Sequence, residues 1–122
     1  MKKEDKELLI KDLCARLPYG VYVNYKNVEN KEGIIMLNPY NIQHIYSGWW
    51  KKYKPYLRSM SSMTEEEKVE YLNTCGNEME NPLASPRYSG IDYLNSIHVD
   101  YRGLIPKGLA IEVTESNNPY KN

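Results

Sequence analysis

The first apolar pattern runs from Glu4 to Leu17, where Leu9, Ile10, Leu13, Cys14 and Leu17 recur at the spacing of a single helical stripe. Glu4 and Asp5 suit the positive end of a helix dipole, and Pro18 stops the helix before a turn at Tyr19 and Gly20. The period then shortens to two. Val21, Val23 and Tyr25 alternate with more polar neighbours as far as Lys26, as a half-buried strand requires. Glu29 to Gly33 reads as a hairpin loop and Ile34 to Leu37 as the returning strand. After the punctuation of Asn38, Pro39, Tyr40 and Asn41, Ile42 to Tyr46 is expected as a third strand, completing a short antiparallel meander with one face for helices to cover.

A basic and aromatic stretch, Trp49 to Arg58, leads into Ser59 to Met63, which has no clear period. Helical signals return at Thr64, which with Glu67 forms the two halves of a reciprocal capping box. The helix should reach about Cys75, with Val69, Leu72 and Cys75 inward and Gly76 ending it. Asn81–Pro82 and Ser85–Pro86 make 77–88 a loop, and Ser89 opens another helix with Asp92 at its N3 position. That helix turns Ile91, Leu94 and Ile97 or His98 to the core. Asp100 is placed to cap a short turn through Leu104 and Ile105 that Pro106 cuts off, and Leu109, Ile111 and Val113 alternate as a closing strand. The whole pattern predicts one α+β domain over residues 1–113: an N-terminal helix, the meander, two further helices and a C-terminal strand. Residues 114–122 are expected to be a polar, flexible tail.

Length and charge limit the alternatives. A chain of 122 residues suits a single core, and sixteen basic residues balance sixteen acidic ones. No whole-molecule field therefore draws it to nucleic acid or to an anionic membrane, so such a partner needs a local patch. Glu4, Asp5, Glu7, Lys11 and Asp12 interrupt any apolar run behind Met1, Lys2 and Lys3. No window approaches the roughly 18 apolar residues of a membrane helix, so a soluble, cytoplasmic protein with no membrane partner is expected. Cys14 and Cys75, at apolar helical positions, are expected as buried thiols. Twelve Tyr and two Trp with no Phe give nearly every large ring a polar atom, which suits half-buried surfaces and interfaces.

Two segments are candidates for chemistry. His98, Asp100, Tyr101 and Arg102 offer a base, a carboxylate and a cationic anchor within five residues. A helix end explains His98 and an N-cap explains Asp100, and this structural reading is the preferred one. Trp49, Trp50, Lys51, Lys52, Tyr53, Lys54 and Arg58 interleave rings with cations and contain no acid, as a single-strand groove or a protein interface would. The preferred reading is a strand or loop whose rings cover the core while its lysines face water. His44, His98, Cys14 and Cys75 occur singly, without metal-ligand spacing, and neither a nucleophile elbow nor a glycine-rich phosphate loop is present. No metal and no cofactor is expected.

The segments Lys54 to Glu67 (KPYLRSMSSMTEEE) and Asp92 to Ala110 (DYLNSIHVDYRGLIPKGLA) resemble the signatures of a family of small proteins from gut-dwelling anaerobic bacteria and their phages and mobile elements. The resemblance covers the C-terminal half and implies no known activity or site residue. Ser59, Tyr93 and Pro106 depart from the family pattern, which has proline, tryptophan and an acid there, and Pro106 leaves 101–107 open between a turn and a short helix. The tyrosine-rich composition and the absence of catalytic spacing favour a non-catalytic interaction protein, an accessory factor of a phage or mobile element with a protein partner. Nucleic-acid binding through Trp49 to Arg58 is the alternative, followed by a small enzyme centred on His98, Asp100 and Arg102.

Overall fold

Helix α1 (Lys3–Arg16) forms where the apolar stripe predicts it, and Pro18 converts its end into a 3-10 turn that closes on Gly20 at φ 81°. A side chain at Gly20 would be strained by that angle and would press on Met36 Sδ, 3.0 Å away. In this computed structural model, which describes residues 2–75 and 88–121, the buried face of α1 is Leu9, Asp12, Leu13 and Arg16. Cys14 is exposed, contrary to the expected buried thiol. The interior takes up Asp12 and Arg16, which turns Cys14 to the far side of the helix.

Strands β1 (Tyr22–Asn27) and β2 (Glu32–Met36) form the expected hairpin, with Val23 opposite Ile35 and Tyr25 opposite Gly33. The next element corrects the sequence reading. Residues Pro39–Tyr46 are helix α2, and no strand forms at 42–46. Asn38 caps α2 reciprocally: its Oδ1 accepts from Asn41 N at 2.9 Å, and its own N–H donates to Asn41 Oδ1 at 3.0 Å. Pro39 at N1 has its φ preset for the helix. Ile42 and Ile45 stand three apart, on one face of a helix but on opposite faces of a strand, so their spacing agrees with the cap.

The third strand is instead β3 (Trp50–Leu57), and it pairs antiparallel with β1 rather than with β2. A two-residue strand β4 (Ile111–Glu112) adds in parallel beside Tyr56 and Leu57, giving the order β2-β1-β3-β4. The main core lies between α1, α2 and one sheet face, around Leu9, Leu13, Val21, Val23, Ile45, Trp50, Tyr53 and Leu57.

Helix α3 (Glu65–Cys75) starts on the predicted box, with Glu67 N donating to Thr64 Oγ1 at 3.1 Å and Thr64 N to Glu67 Oε1 at 2.8 Å. Val69 and Leu72, expected to face inward, are 55% and 44% exposed. Helix α3 packs on helix α4 (Tyr88–Ser96) and reaches only a small second core of Met63, Leu94 and Val99, so its apolar side chains are not all used. The Cys75 side chain, the Gly76 stop and residues 77–87 of the predicted loop lie outside the described residues. Asp100 caps as expected, its two carboxylate oxygens accepting from Leu104 N and Ile105 N at 2.9 Å each, and 104–108 is a turn. No helix among the described residues is long and apolar enough to cross a membrane.

Because the Asn38 box sets α2 against a competing extended backbone, Asn38→Ala should lower unfolding free energy by about 1 kcal/mol in a denaturant titration, with an unchanged slope. An unchanged midpoint would show that packing alone holds α2.

Candidate interaction surface

Two charges of α1 point into the protein. Arg16, fully buried, donates from Nε to Asp12 Oδ2 at 2.8 Å and from Nη2 to the Val99 carbonyl at 2.8 Å. Arg102 donates from Nε to the other Asp12 oxygen at 3.1 Å, across 90 positions of sequence. Both guanidinium groups lie over the Tyr101 ring, 5.1 and 5.0 Å from its centre, and the Tyr101 hydroxyl donates to Asn95 Oδ1 at 2.9 Å. One carboxylate thus clamps two cations, and Tyr101 fills the space between them.

His98 does something different. It ends α4 in the left-handed region at φ 64°, and its imidazole stacks on Tyr120 with ring centres 3.6 Å apart. Tyr120 lies in the segment expected to be a flexible tail. Its hydroxyl donates to the Tyr56 carbonyl at 2.8 Å and accepts from Tyr22 N at 3.1 Å. Burial, reinforced by the Arg16 and Arg58 cations, pushes the His98 pKa down to about 4, and burial pushes Tyr120 up to about 12. Asp100 is committed to backbone amides, Arg102 to Asp12 and His98 to Tyr120, so the three do not converge on one reacting atom. A groove of about 500 Å³ beside them is lined by Asp100 and Tyr101 with Ser59, Met60, Ile105 and Pro106. Neither His98 nor Arg102 lines it. Among the described residues, no group of three or more His, Cys, Asp or Glu is placed to hold a metal ion.

The basic aromatic segment is mostly β3, and strand geometry sorts its side chains. Trp50 and Tyr53 are each 4% exposed, and Trp50 stacks on Tyr25 at 4.7 Å. Lys51 lies where the β1–β3 register shifts and donates to Asn30 Oδ1, while Trp49 stays partly exposed before the strand. Arg58 is held by Glu67 through two bonds of 2.7 and 2.6 Å, and this pair, with the Thr64 amide, holds the Glu67 carboxyl down to about 2. Lys52 and Lys54 face the sheet side opposite the core, where the register sets Lys26 directly across from Lys52. Lys26 was not singled out from the sequence, because only strand pairing brings it there.

The same register exposes a second feature. Lys31 accepts from Asn27 N and Leu37 N donates to Val21 O, so alternate residues of β2 face β1. Glu32, Ile34 and Met36 must therefore turn their N–H and C=O groups away from the sheet. Ile34 is 50% and Met36 43% exposed, and among the described residues no strand pairs with this edge. Sequence reading placed Ile34 in a strand but could not place that strand at an edge.

His98 provides a pH test. Its folded pKa is depressed below the ordinary 6.5, so as pH falls the unfolded chain binds the proton first. The associated stability is present above pH 6.5 and is lost as pH falls toward 4. His98→Asn, which keeps a residue tolerant of the left-handed backbone, should flatten the melting temperature over that window. A slope identical to wild type would exclude His98 as its source. No protein-family model matches the chain, and no curated protein or solved structure matches it either.

Proposed function

We propose that the chain is a non-catalytic protein-interaction module, an accessory factor of phage or mobile-element origin, which docks another protein through the outer edge of β2. The carrying observation is the row of outward backbone groups at Glu32, Ile34 and Met36, flanked by the exposed Ile34 and Met36 side chains. Sheet edges are normally blunted by proline, bulges or charge, and over five residues β2 carries one charge, Glu32. Strand addition to such an edge combines main-chain hydrogen bonds with apolar side-chain contacts. The separate contacts of His98, stacked on Tyr120, of Asp100 on backbone amides and of Arg102 on Asp12 support the non-catalytic part of the reading. Resemblance of the segments 54–67 and 92–110 to phage and mobile-element proteins supports the accessory role.

Ile34→Pro tests the edge directly, because it removes an outward N–H and leaves the ladder to β1 intact. Cross-linking in native lysate should join wild-type chain to another polypeptide, whereas Ile34→Pro, with an unchanged far-UV circular dichroism spectrum, should remain a single chain. Equal adducts from both proteins would remove the β2 edge from function.

A second reading is single-stranded nucleic acid on the outer sheet face, favoured by the grouping of Lys26, Lys52 and Lys54. Tyr56, 6% exposed with Tyr120 bonded to its carbonyl, is not available for base stacking, so this binding would rest on charge. It predicts an oligonucleotide anisotropy signal at low salt that Lys26→Glu, Lys52→Glu and Lys54→Glu together abolish. No signal from the wild type would eliminate it.

A further inference from the structure

We infer that the partner at the β2 edge is a second copy of this chain, joined by antiparallel β2–β2 pairing about a twofold axis at Ile34. The inference rests on the reading of that edge as the docking surface and adds its occupant. The outward-facing residues Glu32 and Met36 are evenly spaced on either side of Ile34. A twofold axis there sets Ile34 against Ile34 of the second copy, and Glu32 of each copy against Met36 of the other. All three pairs are of the hydrogen-bonded kind, so the junction makes about six main-chain bonds.

The side chains agree with this register. On the outer face the centre is isoleucine on isoleucine, and the Met36 chains lie along the methylene groups of Glu32. The two Glu32 carboxylates fall at opposite ends of the junction, so no like charges are opposed. Along each row, Glu32 has Lys26 of its own β1 on its other side. On the inner face, Gly33 of one copy meets Ile35 of the other. Gly33 presents no side chain there, and the Tyr25 ring lies 3.5 Å from its Cβ position, so Ile35 of the second copy meets that ring. A register slipped so that the axis falls at Ile35 keeps only two of the three pairs, because Glu32 would then oppose Asn38, whose side chain caps α2. Equal numbers of acidic and basic residues mean that two copies do not repel each other at long range.

The test uses the purified full chain in analytical ultracentrifugation over a range of concentrations. Wild type should shift from the mass of one chain to that of two as concentration rises. Ile34→Pro and Ile34→Lys, each checked for a native circular dichroism spectrum, should need at least tenfold higher concentration to do so. Register is read by disulfide trapping in a Cys14→Ser, Cys75→Ser background. Ile34→Cys places two thiols on a pair with Cα atoms about 5.5 Å apart, inside the roughly 4.4–6.8 Å window for a disulfide, and should link rapidly under oxidation. Glu32→Cys places its two thiols four residues apart along the strands, about 13 Å, and should not link. A single-chain mass at every concentration, or Glu32→Cys linking as fast as Ile34→Cys, would overturn the inference. If wild type is monomeric while Ile34→Pro still abolishes the lysate adducts, the second copy is excluded and the docking edge stands. Loss of neither excludes both.

Discussion

Asp12 is the point on which the two ends of the fold converge. Its carboxylate has no exposure to water, and its two oxygens are divided between Arg16, one helical turn further along α1, and Arg102, in the turn that leaves α4. Burying these charges is expensive. The arrangement is tolerable because the carboxylate accepts from both cations and Arg16 also bonds the Val99 carbonyl. Removing one member of such a set typically costs about 3–5 kcal/mol, a large part of the stability of a domain this size. The clamp therefore fixes where the segment after α4 crosses α1, and with it the positions of Asp100, Tyr101 and the short strand β4.

A second tie works from the other side of that crossing. Val99 bridges to Arg58 in the parallel sense, with Arg58 N donating to the His98 carbonyl and Asp100 N to the Arg58 carbonyl. Tyr120 then closes over the junction, stacked on His98 and bonded to Tyr22 and Tyr56 of the two central strands. Because the imidazole is held neutral by burial and by adjacent guanidinium groups, its stacking does not add a further buried charge. The candidate chemistry of His98, Asp100 and Arg102 is consumed in building this joint, and each side chain has a structural partner.

The proposed docking role falls to the sheet surface that the helices leave uncovered. Central strands β1 and β3 carry lysines there, and β2, at the edge, carries apolar side chains with free main-chain groups. Edge and face suit different partners. Main-chain groups recognise another strand, whereas a lysine patch recognises negative charge. Burial of Trp50, Tyr53 and Tyr56 moves the balance toward the edge, since those rings are the part of the basic segment that nucleic acid would have used.

Features that depend on a few neighbouring residues were legible in the sequence: the extent of α1 and its stop at Pro18, the Thr64–Glu67 box, the Asp100 cap and the Tyr22 to Met36 hairpin. Each is an interaction closed within one turn or one hairpin, so the residues that decide it are adjacent in the chain. Features that depend on distant partners were not. Helix α2 is the local exception: its Asn38–Asn41 box closes within one turn but reads in the sequence as loop punctuation. Hydropathy sends Asp12 and Arg16 to water and Cys14 inward, but Arg102, 90 positions away, favours a rotation of α1 that keeps Leu9 and Leu13 buried and brings Asp12 and Arg16 in beside them. Val69 and Leu72 lie on a helix that touches too little of the core to cover them. Strand alternation alone separates the rings of Trp50 and Tyr53 from the lysines beside them. Only the order of strands, set by long-range pairing, leaves β2 at an edge with Ile34 and Met36 facing outward.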